Sequence, residues 1–366
     1  MERDAVRLAY RPLPDAEETR PHYPALDGLR GIAVLLVISA HLGFRSTALG
    51  WMGVPLFFAL SGFLITGILL RTRERPDYFR RFYWRRALRI FPIYYLYIAV
   101  CLVAGMAGGL PVSDLWLSAI YVQNYRVPGA VWQVPPFFGG HTWSLAVEEQ
   151  FYLLWPLVAL LLPARRLLGL SVVLIAGALA FRFWAHGVTN DPARWIQYGW
   201  LPSNMDCLAA GAVVAILHAQ DRLRRHHMAA LVAIAGAGLT ALVLNTSWDE
   251  WQTSDLWLQP RANVLVNTAL ALTSAGLVGY CALVPVRFLS VNPLKSVGRI
   301  SYGLYLYHLP VFWCVDRLLG EGHVFRNAAI KVAATYAVSW VSWTLIETRF
   351  LHGRGGARTS APEPAR

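Results

Sequence analysis

The sequence has little charge and almost no lysine. Charged residues make up 15% of its 366 residues, hydrophobic residues make up 56%, and the mean hydropathy is +0.42. This balance excludes a soluble globular domain and indicates a protein that crosses a membrane several times. The four cysteines all fall in apolar segments, without the spacing of a metal site or of a disulfide framework. The sequence therefore predicts no metal site.

Ten hydrophobic segments are long enough to cross a bilayer as helices. The predicted fold is therefore an all-α, polytopic integral membrane bundle of about ten transmembrane helices. It divides into a cytoplasmic N-terminal segment (residues 1–25), a membrane domain (26–350) and a tail (351–366) that we expect to be disordered. The predicted spans lie near residues 26–43, 52–70, 88–107, 143–162, 167–184, 203–219, 228–245, 263–284, 299–319 and 327–348.

The arginine distribution predicts the orientation of this bundle. With the N terminus placed in the cytoplasm, 24 of the 33 basic residues fall in cytoplasmic segments and seven fall in outside segments. Basic residues accumulate on the cytoplasmic side of membrane proteins, so both termini are predicted to be cytoplasmic. The same asymmetry accounts for most of the net charge of +12 without a nucleic-acid partner.

Two ionisable residues in the first predicted span, Arg30 and His41, are candidates for a functional site. Ionisable residues inside a membrane are energetically costly and often mark such a site. Their spacing places both side chains on one helix face, about 16 Å apart along the axis, and Asp27 lies on the same stripe. An imidazole can act as a general base near neutral pH. The alternative is a polar packing stripe, with Arg30 reaching the lipid headgroups.

An arginine-rich region follows the second predicted span. Residues 71–89 contain eight arginines, and Arg86 and Arg89 are neighbours on one face if the third helix begins here. The planar guanidinium group suits bidentate binding of phosphate, as in a cytoplasmic nucleotide such as coenzyme A. The alternative is a topological signal that also attracts anionic lipids.

The fourth predicted span begins with several polar residues. Glu148 and Tyr152 are four residues apart, hence on one helix face, whereas Glu149 is expected to point elsewhere. Ser144 is interpreted as the helix N-cap, which would explain one carboxylate more readily than two. A carboxylate beside an imidazole orients it, so Glu148 is a candidate partner of His41.

Other polar residues also lie within predicted spans. Ser61 stands beside a glycine that allows close helix packing or, alternatively, leaves a gap for an acyl-pantetheine chain. Ser301, Tyr305 and His308 recur along one helix face, either as a polar relay or as satisfied interhelical hydrogen bonds. Arg182, flanked by aromatic residues, is interpreted as an anchor at the membrane interface.

Five segments together resemble the acyltransferase 3 family, the bacterial membrane-bound O-acyltransferases. Each segment is a weak signal alone, but the five occur in family order between residues 26 and 310. The segments are LDGLRGIAVLLVISAH, VPLFFALSGFLIT, RRALRIFPIYYLY, HTWSLAVEEQFYLLWP and GRISYGLYLYHLP.

The resemblance implies transfer of an acyl group, commonly acetyl, from the cosubstrate acyl-coenzyme A to a hydroxyl group. It implies no tightly bound cofactor. The expected acceptors are carbohydrates of surface polysaccharide, peptidoglycan or exported glycans, and the alternative acceptors are macrolides or other secondary metabolites. The expected location is the bacterial cytoplasmic (inner) membrane, with several passes.

The resemblance also implies roles for individual residues. His41 would deprotonate the acceptor or carry the acyl group, Glu148 would support its imidazole, and Arg30 would hold the donor along its path. The phosphates of acyl-coenzyme A would bind Arg85, Arg86 and Arg89. We expect a supporting polar network from Asp27, Ser61, Tyr305 and His308.

A transporter or exporter is the alternative from another functional class. Ten spans with buried histidine, glutamate and arginine suit proton-coupled transport equally well on physical grounds. Inverted repeats with broken helices would favour a transporter, and the sequence contains none that we can identify.

Overall fold

The structure is a computed structural model, and it is entirely helical over the residues that it describes. This confirms the predicted all-α class. Residues 1–22 and 353–366, which contain most of the two predicted terminal segments, lie outside that part of the chain. The described residues are 23–42, 44–108, 112–126, 140–187, 191–244, 260–320 and 323–352.

Ten helices of 17 residues or more occur within those ranges, and each coincides with one predicted span. Seven helical segments are long and apolar enough to cross a membrane, and these include α2 to α6, α8 and α10 in the numbering below. The number of spans and their orientation remain predictions. The ten are α1 (Pro24–Ala40), α2 (Gly53–Thr72), α3 (Tyr78–Ala107), α4 (Trp143–Leu161), α5 (Ala164–His186), α6 (Leu201–Ala219), α7 (Arg225–Leu244), α8 (Pro260–Leu283), α9 (Ser301–Leu319) and α10 (Val324–Ser342).

Helix α3 begins earlier than the sequence predicted. The predicted span starts at residue 88, but the helix starts at Tyr78, so Arg86 and Arg89 are both helical. Arginine is a good helix former, which allows the helix to extend beyond its apolar part. Before the helix, the Arg75 side chain donates a hydrogen bond of 2.9 Å to Asp77, and this bond lowers the pKa of the Asp77 carboxyl group.

Helices α2 and α6 touch backbone to backbone in the middle of the bundle. A Cβ atom added to Gly62 would lie 1.9 Å from the carbonyl oxygen of Leu208, and one added to Gly211 would lie 2.1 Å from that of Ala59. The glycine beside Ser61 therefore permits close packing, as predicted. The alternative of a gap for a pantetheine chain is wrong at this glycine, because α6 fills the space.

The short helix Asn292–Arg299 packs closely against α1. A Cβ atom on Gly298 would lie 1.8 Å from the carbonyl oxygen of Asp27, and one on Gly31 would lie 2.6 Å from that of Leu294. These contacts hold the part of α1 that carries Arg30 at a fixed rotation.

Arg182 is buried inside the bundle, so its interpretation as an interfacial anchor is wrong. Its side chain is 0% exposed and makes an ion pair of 2.5 Å with Asp206 on α6. It also donates hydrogen bonds to the backbone oxygens of Val264 and Ser203 and to the Thr268 hydroxyl. The aromatic residues next to Arg182 in the sequence suggested a position at the membrane interface. The ion pair with a buried carboxylate on another helix instead keeps its side chain inside the bundle.

Replacing Arg182 with methionine is expected to destabilise the protein by about 3–5 kcal/mol, because Asp206 would remain as an unpaired buried charge. Thermal unfolding of the purified protein in detergent measures the effect. Replacing Arg166, which is exposed on the same helix, is the matched control and should change stability by less than about 0.5 kcal/mol. Equal unfolding temperatures for the two variants would contradict the structural role of the buried pair.

Candidate functional site

A partly open cavity lies between α1, α2, α3, α4 and α9. Three of its lining side chains are the arginines Arg30, Arg86 and Arg89, and two are the carboxylates Glu148 and Glu149. Charged groups of both signs inside a helical bundle are costly and mark functional sites. We call this space the arginine cavity. Its other lining residues are Val54, Phe57, Phe58, Ser61, Ile90, Ser144, Leu145, Tyr152, Ser301, Tyr302 and Tyr305.

The arginines reach the cavity from two helices. Arg86 and Arg89 occupy neighbouring positions on α3, and the Arg86 Cζ atom lies 5.1 Å from the centroid of the Tyr152 ring. Arg30 comes from α1 and lies 3.8 Å from the carboxylate of Asp27. Arg85, predicted to join them, is half-buried but does not line the cavity. Its position next to Arg86 turns its side chain by about 100° around the helix.

Glu148 accepts a hydrogen bond from the Ser61 hydroxyl, and Ser61 in turn accepts one of 3.0 Å from the Tyr152 hydroxyl. Ser61 is therefore part of a polar network, as predicted. The expected contact between Glu148 and His41 is wrong in this structure. Glu148 faces the arginine cavity, because α4 presents this turn to α2 and α3 rather than to the end of α1.

Two further expectations about α4 are wrong. Glu149 lines the same cavity as Glu148, because the cavity is wide enough to reach side chains about 100° apart on one helix. Ser144 is not the N-cap, since the helix starts at Trp143 and Thr142 occupies the cap position. The Ser144 hydroxyl instead lies 2.6 Å from the hydroxyl of Tyr305.

A second group of polar residues, the histidine cluster, consists of His41, His141 and His308. The ring centroids of His41 and His308 are 4.9 Å apart, and those of His141 and His308 are 5.0 Å apart. His141 and His308 are buried, whereas His41 is exposed. His41 is thus the exposed member of the cluster. Within the described residues, no group of three or more histidine, cysteine or acidic side chains is arranged to hold a metal ion.

Sequence reasoning identified His41 and His308 but missed His141. That residue begins the HTWSL motif, and its position just before a polar helix start was the available signal. Sequence reasoning also missed the position of Glu347 near the arginine cavity. Glu347 is buried in a π-helical turn and lies within electrostatic range of Arg89.

Tyr305 joins the arginine cavity to the histidine cluster. Its side chain lines the cavity, its hydroxyl donates a hydrogen bond of 2.6 Å to the backbone oxygen of His141, and its ring lies 5.8 Å from that of His308. Ser301 also lines the cavity on the same helix. The predicted row of Ser301, Tyr305 and His308 therefore runs from one group to the other. Arg30 and His41, at different heights on α1, belong to the cavity and to the cluster respectively.

The comparison with protein families identifies the class of this protein. A family model described as an acyltransferase domain matches residues 23–345. The chain therefore belongs to this acyltransferase family, which confirms the resemblance of its five motifs. No solved structure matches the chain.

Two relatives illustrate the similarity. The chain is 29% identical over 361 residues to the peptidoglycan O-acetyltransferase OatA of Listeria monocytogenes serovar 1/2a, with 90% of this chain and 56% of the relative covered. It is 28% identical over 353 residues to the O-acetyltransferase OatA of Staphylococcus aureus strain NCTC 8325, with 90% and 57% covered. The chain spans a little over half the length of these relatives.

Proposed function

We propose that this protein is an integral membrane O-acyltransferase that transfers an acyl group, commonly acetyl, from acyl-coenzyme A to a hydroxyl of a cell-surface glycan such as peptidoglycan. The observation that carries this proposal is the junction at Tyr305 between a cavity with three arginines and an accessible histidine. Acyl transfer needs groups that bind the donor, here the arginines, next to a group that removes the proton from the acceptor, here the histidine.

The arginine cavity suits the donor. Coenzyme A carries several phosphates, and guanidinium groups bind phosphate through paired, charge-assisted hydrogen bonds. Arg86 and Arg89 stand side by side in the N-terminal half of α3, which is the half predicted to lie toward the cytoplasm. Glu148 and Glu149 offset part of the arginine charge while the cavity is empty, so that the cluster is tolerated within the bundle.

The histidine cluster supplies the base. The Nδ1 atom of His41 lies 2.9 Å from the backbone oxygen of Val37. A carbonyl oxygen only accepts, so Nδ1 carries the hydrogen and Nε2 carries the lone pair of the neutral ring. The acceptor hydroxyl gives its proton to Nε2, and its oxygen attacks the thioester carbon. The carbon–sulfur bond then breaks, and the departing thiolate takes up the proton from His41. Direct attack of Nε2 on the thioester is the two-step alternative.

The names of the relatives support the proposed acceptor class. A relative named peptidoglycan O-acetyltransferase is similar over nine-tenths of this chain, and His41, the proposed base, is exposed. Arg30 would hold the donor between the phosphate site and Tyr305, with Asp27 fixing its side chain.

Acyl transfer from labelled acetyl-coenzyme A, measured in membranes that contain the protein, tests this proposal. Soluble peptidoglycan fragments and a macrolide serve as competing acceptors, and mass spectrometry identifies the product. We expect an acetyl ester on a sugar hydroxyl of the glycan. Formation of an ester on the macrolide alone would show that the acceptors are secondary metabolites instead of glycans. Formation of no ester on any acceptor would contradict the proposed activity.

A further inference from the structure

Each ring of the histidine cluster is bonded to a backbone oxygen through one nitrogen. Because carbonyl oxygens only accept hydrogen bonds, the bonded nitrogen must carry the hydrogen, and the other nitrogen of a neutral ring must carry the lone pair. The lone pairs are therefore on Nε2 of His41, Nε2 of His308 and Nδ1 of His141. The bonded pairs are His41 Nδ1 with Val37 (2.9 Å), His308 Nδ1 with Tyr305 (2.6 Å) and His141 Nε2 with Leu306 (3.2 Å).

Two of these lone pairs have no hydrogen-bond donor in the part of the chain that the structure describes. Nε2 of His308 and Nδ1 of His141 are both buried and unpartnered. Buried acceptors without a donor are rare and costly in folded proteins, so they need an explanation. His308 is 0% exposed and cannot take its proton from substrate directly, but its ring lies 4.9 Å from that of the accessible His41.

Among the described residues, no carboxylate is bonded to His41, although a carboxylate usually stabilises a catalytic imidazolium. The candidate for that role, Glu148, accepts its hydrogen bond from Ser61 in the arginine cavity. Among the described residues, the ionisable groups near His308 are His41, His141, Tyr305 on the same helix and Tyr97 beside His141. The ion pair of Lys331 with Asp316 lies farther away, on the other side of the Phe312 ring.

We propose that His308 is the positioning residue that stabilises the protonated form of His41 during acyl transfer. The inference rests on the proposed function. When the acceptor hydroxyl gives its proton to Nε2 of His41, the positive charge forms on a ring whose centroid lies 4.9 Å from that of the neutral His308. The charge leaves again when the thiolate takes that proton. His308 keeps its own hydrogen on Nδ1, held by the backbone oxygen of Tyr305, and ends each cycle unchanged.

The neutral state of His308 is essential to this role. His41 and His141 both lie within electrostatic range of His308, and two imidazolium charges at this distance repel each other. The cluster therefore takes up one additional proton at a time, and the exposed residue, His41, is the one that exchanges it. Burial of His141 and His308 keeps water from competing for their lone pairs.

The test is the pH dependence of kcat and KM for the purified His308→Phe variant. Phenylalanine keeps a planar ring of similar size but has no lone pair. We expect kcat to fall about tenfold to 100-fold, with KM for both substrates changing less than about twofold. We also expect the acid limb of the profile to move about one unit toward lower pH. His41 would hold a proton less readily, so it would remain a neutral but weaker base in more acidic solution.

Matched variants separate this role from a structural one. Tyr307→Phe removes a hydroxyl that lies 3.0 Å from Ser342, next to His308 in the chain but outside the cluster, and it should leave the profile unchanged. His308→Leu is the second variant if the phenylalanine does not fit. If a folded His308 variant has its acid limb at the same pH as the wild-type protein, the inference is overturned. This holds whether kcat equals the wild-type value or is lower at every pH. A wild-type protein without any transfer would overturn the proposed function as well, so the two failures are distinguishable.

Discussion

Replacing His41 with asparagine is expected to lower the rate of acyl transfer by about 10²- to 10⁴-fold, which is the usual contribution of a general base. The asparagine side chain can occupy the end of α1, but its amide cannot take a proton from the acceptor hydroxyl. Because His41 is exposed and contributes little to the packed core, the variant should fold. The rate is measured in membranes that contain equal amounts of each protein.

Ser39→Ala is the matched control for this substitution. The Ser39 hydroxyl lies at the same end of α1 and donates only to the backbone oxygen of Leu36, at 2.7 Å. Its removal should change the rate less than about twofold. Full activity of a well-expressed His41→Asn protein would show that His41 takes no part in the reaction. The polar stripe on α1 would then serve in helix packing.

Replacing Arg86 and Arg89 together with alanine is expected to raise the dissociation constant for coenzyme A by about 100-fold. Each charge-assisted hydrogen bond to a phosphate contributes about 1.5 kcal/mol or more, and two such losses correspond to that factor. Both side chains line the arginine cavity, so the loss should be specific to the donor. Titration calorimetry with the purified protein measures the constant.

Arg80→Ala is the control on the same helix. Arg80 is exposed and does not line the cavity, so its removal changes the net charge but leaves the proposed phosphate site intact. We expect a dissociation constant within about twofold of the wild-type value. An unchanged constant in the double variant would restrict Arg86 and Arg89 to setting topology and attracting anionic lipids.

The positions of the helices were predictable because apolar runs of about 20 residues leave few alternatives in a membrane protein. All ten predicted spans coincide with long helices, and spacing along one helix correctly placed Arg86 beside Arg89 and Ser301 in line with Tyr305. Such spacing describes one helix at a time. It could not show that Tyr305 of α9 would lie between the cavity and the cluster.

The errors share one physical origin, which is that contacts between helices depend on packing. Glu148 and His41 are both at helix ends predicted to face outward, yet Glu148 bonds to Ser61 of α2. Arg182 has aromatic neighbours in the chain, yet Asp206 of α6 keeps it in the interior. Sequence periodicity predicts which face of its own helix a residue occupies. Only the packed bundle shows which residue of another helix contacts that face.

We propose different tasks for the two ends of the Arg30–His41 stripe. Arg30 lines a charged cavity that would suit a phosphorylated donor, and His41 is the exposed member of the histidine cluster. Tyr305 lines the cavity and contacts the histidine cluster at His308 and His141. In the proposed reaction, the acyl end of the donor reaches this junction from the cavity and the acceptor reaches it from the exposed side of His41.

Stoichiometry measured on the purified protein tests the proposed reaction most directly. The amounts of free coenzyme A thiol and of acyl ester on the glycan are followed together, with acetyl-coenzyme A and acceptor both supplied. Acyl transfer predicts equal amounts of thiol and ester, with both dependent on the acceptor and both lost in His41→Asn. Movement of the glycan across a vesicle membrane without release of thiol would contradict the enzyme and favour a transporter.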